Sequence, residues 1–98
     1  MNRFGVIARF EAKPGKQAEI AAFFEGGRGI VEQEPATTTW TAFQIGPTTY
    51  GAFATFASEA DRDHLLGVGG PKSSERNAAL FTQPPTFEKI DILQARLG

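Results

Sequence analysis

The feature that most constrains the fold is a hairpin-like stretch with apolar residues on both of its faces. Residues 38–56 read TTWTAFQIGPTTYGAFATF, which is two runs of strand-forming residues on either side of Gly46 and Pro47. Glycine followed by proline is a common turn signal, so two antiparallel strands are predicted here. A sheet that is apolar on both faces needs a further layer of structure on each side.

The predicted pairing of this hairpin follows from placing the Gly-Pro dipeptide at the turn. It sets Phe43 opposite Tyr50 on one face and Trp40 opposite Phe53 on the other. A slip of one residue would exchange the two sets, because side chains alternate between the faces of a strand. In either register, large aromatic side chains project from both faces.

The first third of the chain predicts a strand followed by a helix. Phe4–Phe10 has two alternating sets of residues, which is typical of a strand. One side carries Phe4, Val6, Ala8 and Phe10, and the other carries Gly5, Ile7 and Arg9. Pro14 predicts an early helical position, and Pro35 predicts that the helix has ended. Gly27 lies on the apolar face of this helix, so either the helix kinks there or helix and sheet approach closely.

The last third predicts a second helix and a final strand. Ser58 with Asp61 resembles a capping box, which predicts a helix running to about Leu66. Residues 72–81 predict another short helix, and Thr86–Leu93 alternates as a strand. The order is β, α, β, β, α, β, so an α+β, ferredoxin-like fold with a four-stranded antiparallel sheet is predicted.

The chain is predicted to be a single domain spanning residues 1–98 that associates with a second copy of itself. A domain of 98 residues buries only roughly 60 to 65% of its unfolded surface, yet this one carries nine Phe, one Trp and one Tyr. Helices on one side of the sheet leave the other face bare, and such a patch is larger than most monomers expose. A homodimer that packs through its sheet faces is the expected solution.

Composition argues against several classes of function. The net charge of −1 provides no basic stripe, so nucleic acid is not an expected partner. No run of residues predicts a signal peptide or membrane span, so a cytoplasmic protein that does not associate with membranes is expected. With one His and no Cys, no metal site is predicted, and no cofactor is expected either.

Two residues are candidates for catalysis. Histidine is the side chain whose ordinary pKa lies nearest neutrality, so His64, the only histidine in the sequence, is a candidate general base. Helical spacing places His64 beside Ala60 and Val68, where a structural role is the alternative. The hydroxyl of Tyr50 could bind a substrate oxygen, although a buried tyrosine usually finds a partner within the protein.

Four further residues are candidates for binding a substrate. Trp40 and Phe53, paired beside small residues, could leave a hollow with aromatic walls for a flat molecule, or could simply pack. Phe43 is a further aromatic candidate on the same hairpin. Arg9 on the first strand could bind an anionic oxygen, or could pair with a carboxylate such as Glu11.

Four segments together resemble the antibiotic biosynthesis monooxygenase family. They are KPGKQAEIAAFF, EPATTTW, GPTTYGAFATFASEADRDHLLG and PPTFEKIDILQARL, and they cover nearly the whole chain. The resemblance implies a ferredoxin-like domain that dimerises into an α+β barrel. Some members of this family oxygenate phenols or quinols without a cofactor, and others degrade heme.

The resemblance favours the oxygenases over the heme-degrading members. The latter use an Asn on the first strand with a Trp and a His in the second helical region, whereas this chain has Ala8 at the matching strand position and its Trp40 on a strand. We therefore expect a cofactor-independent monooxygenase acting on a small aromatic or quinol-type molecule. The alternative is a non-catalytic, dimeric small-molecule-binding or stress-related protein of the same fold.

Overall fold

The strands form one four-stranded antiparallel sheet, and the helices pack on one of its faces. The computed structural model describes residues 3–69, 72 and 75–96. In chain order the elements are β1 (Phe4–Glu11), α1 (Gln17–Glu32), β2 (Thr37–Gln44), β3 (Thr49–Phe56), α2 (Glu59–His64), a π-helical turn (Leu65–Gly69), a 3₁₀ turn (Ala78–Leu80) and β4 (Thr86–Asp91).

The strand order confirms the predicted fold class. The order across the sheet is β2-β3-β1-β4, with β1 and β3 in the centre and β2 and β4 at the edges. All three pairings are antiparallel. This is the ferredoxin-like arrangement, in which the first strand pairs with two strands that come later in the chain.

The helix-facing side of the sheet carries the buried core. Val6, Ala8 and Phe10 of β1 lie opposite Ala54, Ala52 and Tyr50 of β3, and all six are buried. Phe10 is the centre of an aromatic cluster whose other rings are Phe23, Phe24, Phe81 and Phe87, at centroid distances of 5.4 to 6.2 Å. The predicted strand is confirmed, and the structure shows that Val6, Ala8 and Phe10 are on its buried side.

The predicted register of the hairpin is wrong by one residue. Trp40 lies opposite Ala54 and not Phe53, and Phe43 lies opposite Gly51 and not Tyr50. At the turn, the N–H groups of Ile45 and Gly46 both donate to the carbonyl oxygen of Thr49, at 2.8 and 3.1 Å. Two residues thus oppose one, as in a β-bulge, and the additional residue shifts the register.

This shift changes which aromatic residues share a face. Trp40 and Tyr50 both lie on the helix-facing side, whereas Phe43 and Phe53 lie together on the open side. Phe56 is 1% exposed beneath the helices. The expectation that both faces carry large aromatics is confirmed, but the membership of each set differs from the prediction.

Helix α1 begins later than its sequence suggests. Pro14 lies in a turn before the helix, because Gly15 adopts a positive φ of 80° that a continuing helix cannot include. The helix then runs without interruption through its glycines and ends before Pro35. Gly27 lies so close to Trp40 that a Cβ at this position would be 3.3 Å from the indole Cζ2 atom. Of the two predicted explanations for this glycine, the structure therefore supports close approach of helix and sheet and not a kink.

Helix α2 is capped as predicted but presents an unexpected residue to the sheet. The Ser58 hydroxyl accepts a hydrogen bond from the backbone N–H of Asp61 at 3.1 Å. Arg62 is the buried residue of this helix, while Ala60 and His64 are exposed. The interpretation of the Ala60–His64 side of the helix as facing or bordering the core is therefore wrong for these two residues. The predicted helix at residues 72–81 lies partly outside the described residues, and its end is the 3₁₀ turn at Ala78–Leu80.

Candidate functional site

An apolar cavity of about 160 Å³ lies between α1 and the helix-facing side of the sheet. Its lining comes from all four strands, from α1 and from the π-helical turn: Val6, Ala8, Phe10, Phe23, Phe24, Gly27, Ile30, Val31, Thr37, Trp40, Ala52, Ala54, Phe56, Leu65 and Phe87. The cavity is therefore built into the main packing interface of the fold.

Small residues at the centre of the sheet form the floor of the cavity. Ala8 and Ala52 face each other across β1 and β3, and Ala54 follows two residues later on the same side. A single methyl group at each position fills little of the space between the sheet and a helix packed over it. Larger aliphatic side chains, which strands usually favour, would fill it.

Aromatic residues and a glycine form the walls. The Phe24 ring centroid lies 6.4 Å from that of Trp40. Gly27 follows Phe24 by one helical turn, and its missing side chain leaves room for the indole of Trp40. A flat molecule in this cavity would therefore meet ring faces and edges on more than one side.

The mouth of the cavity lies towards the end of α1 and the start of β2. Ile30 contributes to the lining and is nevertheless 63% exposed. Val31 and Thr37, which are half-buried, belong to the same part of the lining. Ile30 is therefore the most exposed of the described lining residues.

The structure places two of the predicted site residues on the cavity side of the sheet. Trp40 lines the cavity, and its neighbour across the strands is Ala54 rather than Phe53. Tyr50 is 8% exposed and lies in the aromatic cluster beside Phe24, outside the described lining. None of the hydrogen bonds found among the described residues involves its hydroxyl.

Three other predicted site residues lie on the open face of the sheet. The ring of Phe43 lies over Gly51, where even a Cβ would collide with it, and Phe53 is half-buried two residues further along β3. Arg9 is exposed and pairs with Glu11 at 3.4 Å, which is the ion-pair alternative foreseen for it. These residues cannot share a ligand with Trp40 through the sheet.

His64 stands apart from the cavity. It is the last residue of α2, it is exposed, and it does not belong to the described lining. The lining does begin one residue later, with Leu65. The catalytic role of His64 stays a prediction, and it would require a substrate that reaches beyond the cavity.

Arg62 is a buried residue that was not among the predicted site residues, although the helical periodicity of the sequence indicates it. Arg62 is 5% exposed, and its guanidinium donates to the Ile90 carbonyl oxygen at 2.9 Å and to Asp91 Oδ1 at 3.1 Å. It also lies over the Phe4 ring, 5.3 Å from the centroid. Helical spacing from Leu65 puts Arg62 on the buried side, so periodicity alone would have indicated it.

Comparison with solved structures places the chain in a family. The NE2512 protein of unknown function from Nitrosomonas europaea is 37% identical, with a TM-score of 0.86, and the match covers 100% of this chain and 96% of that one. This chain belongs to the same family. No protein-family model matches the sequence, and no curated protein matches it.

More distant structures show the same fold. A "putative antibiotic biosynthesis monooxygenase" from Caulobacter crescentus is 20% identical with a TM-score of 0.78, and the match covers 95% of this chain and 92% of that one. A mutant of SnoaB, a cofactor-independent oxygenase from Streptomyces nogalater, is 17% identical with a TM-score of 0.78 and 97% coverage of both chains. The chain thus has the antibiotic biosynthesis monooxygenase fold that its sequence predicted.

Two searches of the described residues bear on other classes of function. No helix among residues 3–69, 72 and 75–96 is both long and apolar enough to cross a membrane. Within the same residues, no group of three or more His, Cys, Asp or Glu side chains is arranged to hold a metal ion.

Proposed function

We propose that this protein binds a small aromatic molecule in the cavity between α1 and the sheet. The observation that carries the proposal is an apolar cavity of about 160 Å³ with aromatic walls and a floor of alanines. Pockets for small molecules are typically concave and lined mainly by apolar and aromatic side chains. The rings of Trp40 and Phe24 would hold the ligand, and Ile30 would border its entry.

The tryptophan provides a direct test, because Trp40 is the only tryptophan in the chain and it lines the cavity. Titration with aromatic compounds of one to four rings should change its fluorescence and give saturable heat in calorimetry. Failure of every compound to bind at millimolar concentration would contradict the proposal.

A matched pair of variants locates the binding. Ala52→Val adds two methyl groups to the floor and should weaken binding at least tenfold, because the bulk occupies space that the ligand needs. Ala42→Val makes the same change on the same face of the neighbouring strand, opposite Ala52 but outside the described lining, and should leave affinity within about twofold. Equal affinities for both variants would place the ligand elsewhere.

Oxygenation of the bound molecule without a cofactor is a second candidate, favoured by the fold shared with SnoaB. In this reaction a phenol with an activated CH₂ group loses a proton to His64, or to a water that His64 orients. The resulting carbanion gives an electron to O₂, and the two radicals combine as a hydroperoxide. Loss of water then leaves C=O, so the CH₂ carbon loses four electrons and O₂ gains four. Tyr50 would hydrogen-bond the substrate oxygen.

Oxygen uptake tests this second candidate. One O₂ should be consumed for each quinol-type or hydroxylated polycyclic molecule converted, without accumulation of hydrogen peroxide. His64→Ala should slow uptake at least tenfold if His64 is the base, whereas equal rates would remove it from the mechanism. Absence of uptake with a compound that binds would leave binding as the function.

We also propose that two copies of the chain pack through their open sheet faces, as the family resemblance implies. The supporting observation is a group of apolar side chains on the face that no helix covers: Ile7, Phe43, Phe53 and Ile90. Two of them are more than a third exposed, at 39% for Ile7 and 37% for Phe43.

A further inference from the structure

We propose that the ligand of this cavity is an uncharged molecule with a single aromatic ring and one hydroxyl or carbonyl group, rather than a polycyclic compound. This inference rests on the proposed binding function and narrows it to a chemical class. It is drawn from three properties of the lining: its volume, its lack of charge, and the position of its polar groups.

The volume limits the number of rings. A cavity of about 150 Å³ lined by leucine, isoleucine and phenylalanine accepts benzene in another protein. The present cavity has about 160 Å³ and a lining of similar chemistry. Pockets for drug-sized ligands begin at about 300 Å³. One ring with a small substituent therefore fits, whereas three fused rings would have to displace Phe24 or Trp40 from the packed interface.

The lining excludes a charged ligand. Among the described residues that line the cavity, none has an ionisable side chain. Arg62 and Lys89 are the cationic residues on the helix-facing side nearby, and each already pairs with a carboxylate, Asp91 and Asp63 respectively. Transfer of an unpaired charge into an apolar site is strongly unfavourable, so carboxylate-bearing aromatics should be rejected.

The polar groups of the lining favour one oxygen on the ligand. Of the described lining residues, Thr37 and Trp40 alone have a side chain with a hydrogen-bonding group. Both come from β2, the edge strand at the mouth, while the floor and the α1 wall offer hydrocarbon only. A phenol-like molecule can therefore bury its ring against the alanines and direct its hydroxyl towards β2.

Calorimetry with a graded set of compounds tests the inference. The set comprises benzene, phenol, hydroquinone, benzoate, 1-naphthol and anthrone, each titrated into the native protein. We expect phenol to bind at least tenfold more tightly than anthrone and benzoate not to bind. Thr37→Val should lower the preference for phenol over benzene by about fivefold, as expected for one lost hydrogen bond.

A variant that enlarges the cavity provides a second readout. Phe24→Ala removes a ring from the wall and should shift the preference from phenol towards 1-naphthol by at least tenfold. Phe53→Ala removes the same ring from the open face and should leave the order of affinities unchanged. Circular dichroism of both variants establishes that each is folded.

The outcomes separate this inference from the function on which it rests. If anthrone or benzoate binds as tightly as phenol, the inference is wrong while small-molecule binding stands. If no compound in the set binds, the proposed function fails together with the inference. Unchanged preferences in both Thr37→Val and Phe24→Ala would show that size and polarity are selected elsewhere.

Discussion

Arg62 is the residue whose environment departs furthest from what its chemistry would suggest. The Arg62 side chain is only 7% exposed and packs against Phe4, and its Nε atom has no hydrogen-bond partner in the described structure. Its two bonds go to the Ile90 carbonyl oxygen and to Asp91, whose side chain is 69% exposed. Because Asp91 is exposed, its ion pair with Arg62 contributes little to the stability of the fold. The hydrogen bond to the Ile90 carbonyl oxygen and the packing on Phe4 are therefore the main contributions of Arg62.

Replacing Arg62 by Ala should lower the free energy of unfolding by about 2 to 3 kcal/mol, through the lost charge-assisted bond and the lost packing of its stem. Arg62→Met keeps the packing and removes the unpaired Nε, so it should cost about half as much. Urea unfolding with an unchanged m value gives both numbers. Equal losses for the two variants would show that packing contributes nothing.

The sequence offered candidate site residues by residue type, and the structure places them in different surroundings. Trp40 lines the cavity because the observed register of the hairpin puts it on the side of the sheet beneath α1. His64 was chosen for its imidazole side chain, and it is exposed, because Arg62 is the buried residue of α2. Residue type identified the candidate base, but the position of a residue around the helix axis determines whether it faces inward.

Helix α1 carries three glycines whose surroundings differ sharply. A Cβ at Gly26 or Gly29 would meet nothing within 4 Å, whereas one at Gly27 would lie 3.3 Å from Trp40. Helix propensity alone would predict the same gain from Ala at each position. The structure therefore predicts that Ala increases stability at positions 26 and 29 but not at position 27.

Gly26→Ala and Gly29→Ala should each stabilise the protein by about 0.5 to 1 kcal/mol, because Ala has the higher helix propensity and no contact opposes it. Gly27→Ala should give no net gain, because the indole of Trp40 must shift by a few tenths of an ångström. Thermal unfolding of the three variants measures this, and Trp40 fluorescence should change in Gly27→Ala only. Equal stabilisation at all three positions would mean that the indole moves freely.

The elements were predictable, but the register between them was not. Alternation in Phe4–Phe10 and the Ser58 cap are local signals, and both are confirmed. The pairing of Trp40 with Ala54 depends on a bulge at the turn, where Ile45 and Gly46 share one acceptor. The Gly-Pro dipeptide is also compatible with a loop one residue shorter, which would give the predicted register. The dipeptide alone therefore does not determine the register, and tertiary packing selects the observed one.

At the scale of the whole molecule, the sheet has one covered and one open face. The open face carries Phe43 packed on Gly51, so its apolar surface is formed by a ring that lies flat rather than one that projects. A flat apolar surface of this kind is suited to contact with an identical surface related by a two-fold axis. A standard interface buries about 800 Å² from each partner, which one face of a small sheet can supply.

Sedimentation at micromolar concentration should therefore show a dimer for the native chain. Phe43→Lys should yield monomers, because a charge within an apolar interface would be buried without a partner. Ile30→Lys introduces the same charge at an exposed isoleucine on the helix side and should leave the dimer intact. A native chain that sediments as a monomer would overturn the proposed association, and so would a Phe43→Lys variant that remains dimeric.

The central position of β1 has a consequence for synthesis. Both strands that flank it, β3 and β4, follow it in the chain, so β1 leaves the ribosome with neither neighbour available. Its alternating Phe, Val, Ala and Phe residues stay without a sheet until residues 49–56 emerge. Incomplete chains that stop before that point contain an unpaired strand with exposed apolar side chains. They should therefore aggregate in the cell rather than persist as folded fragments.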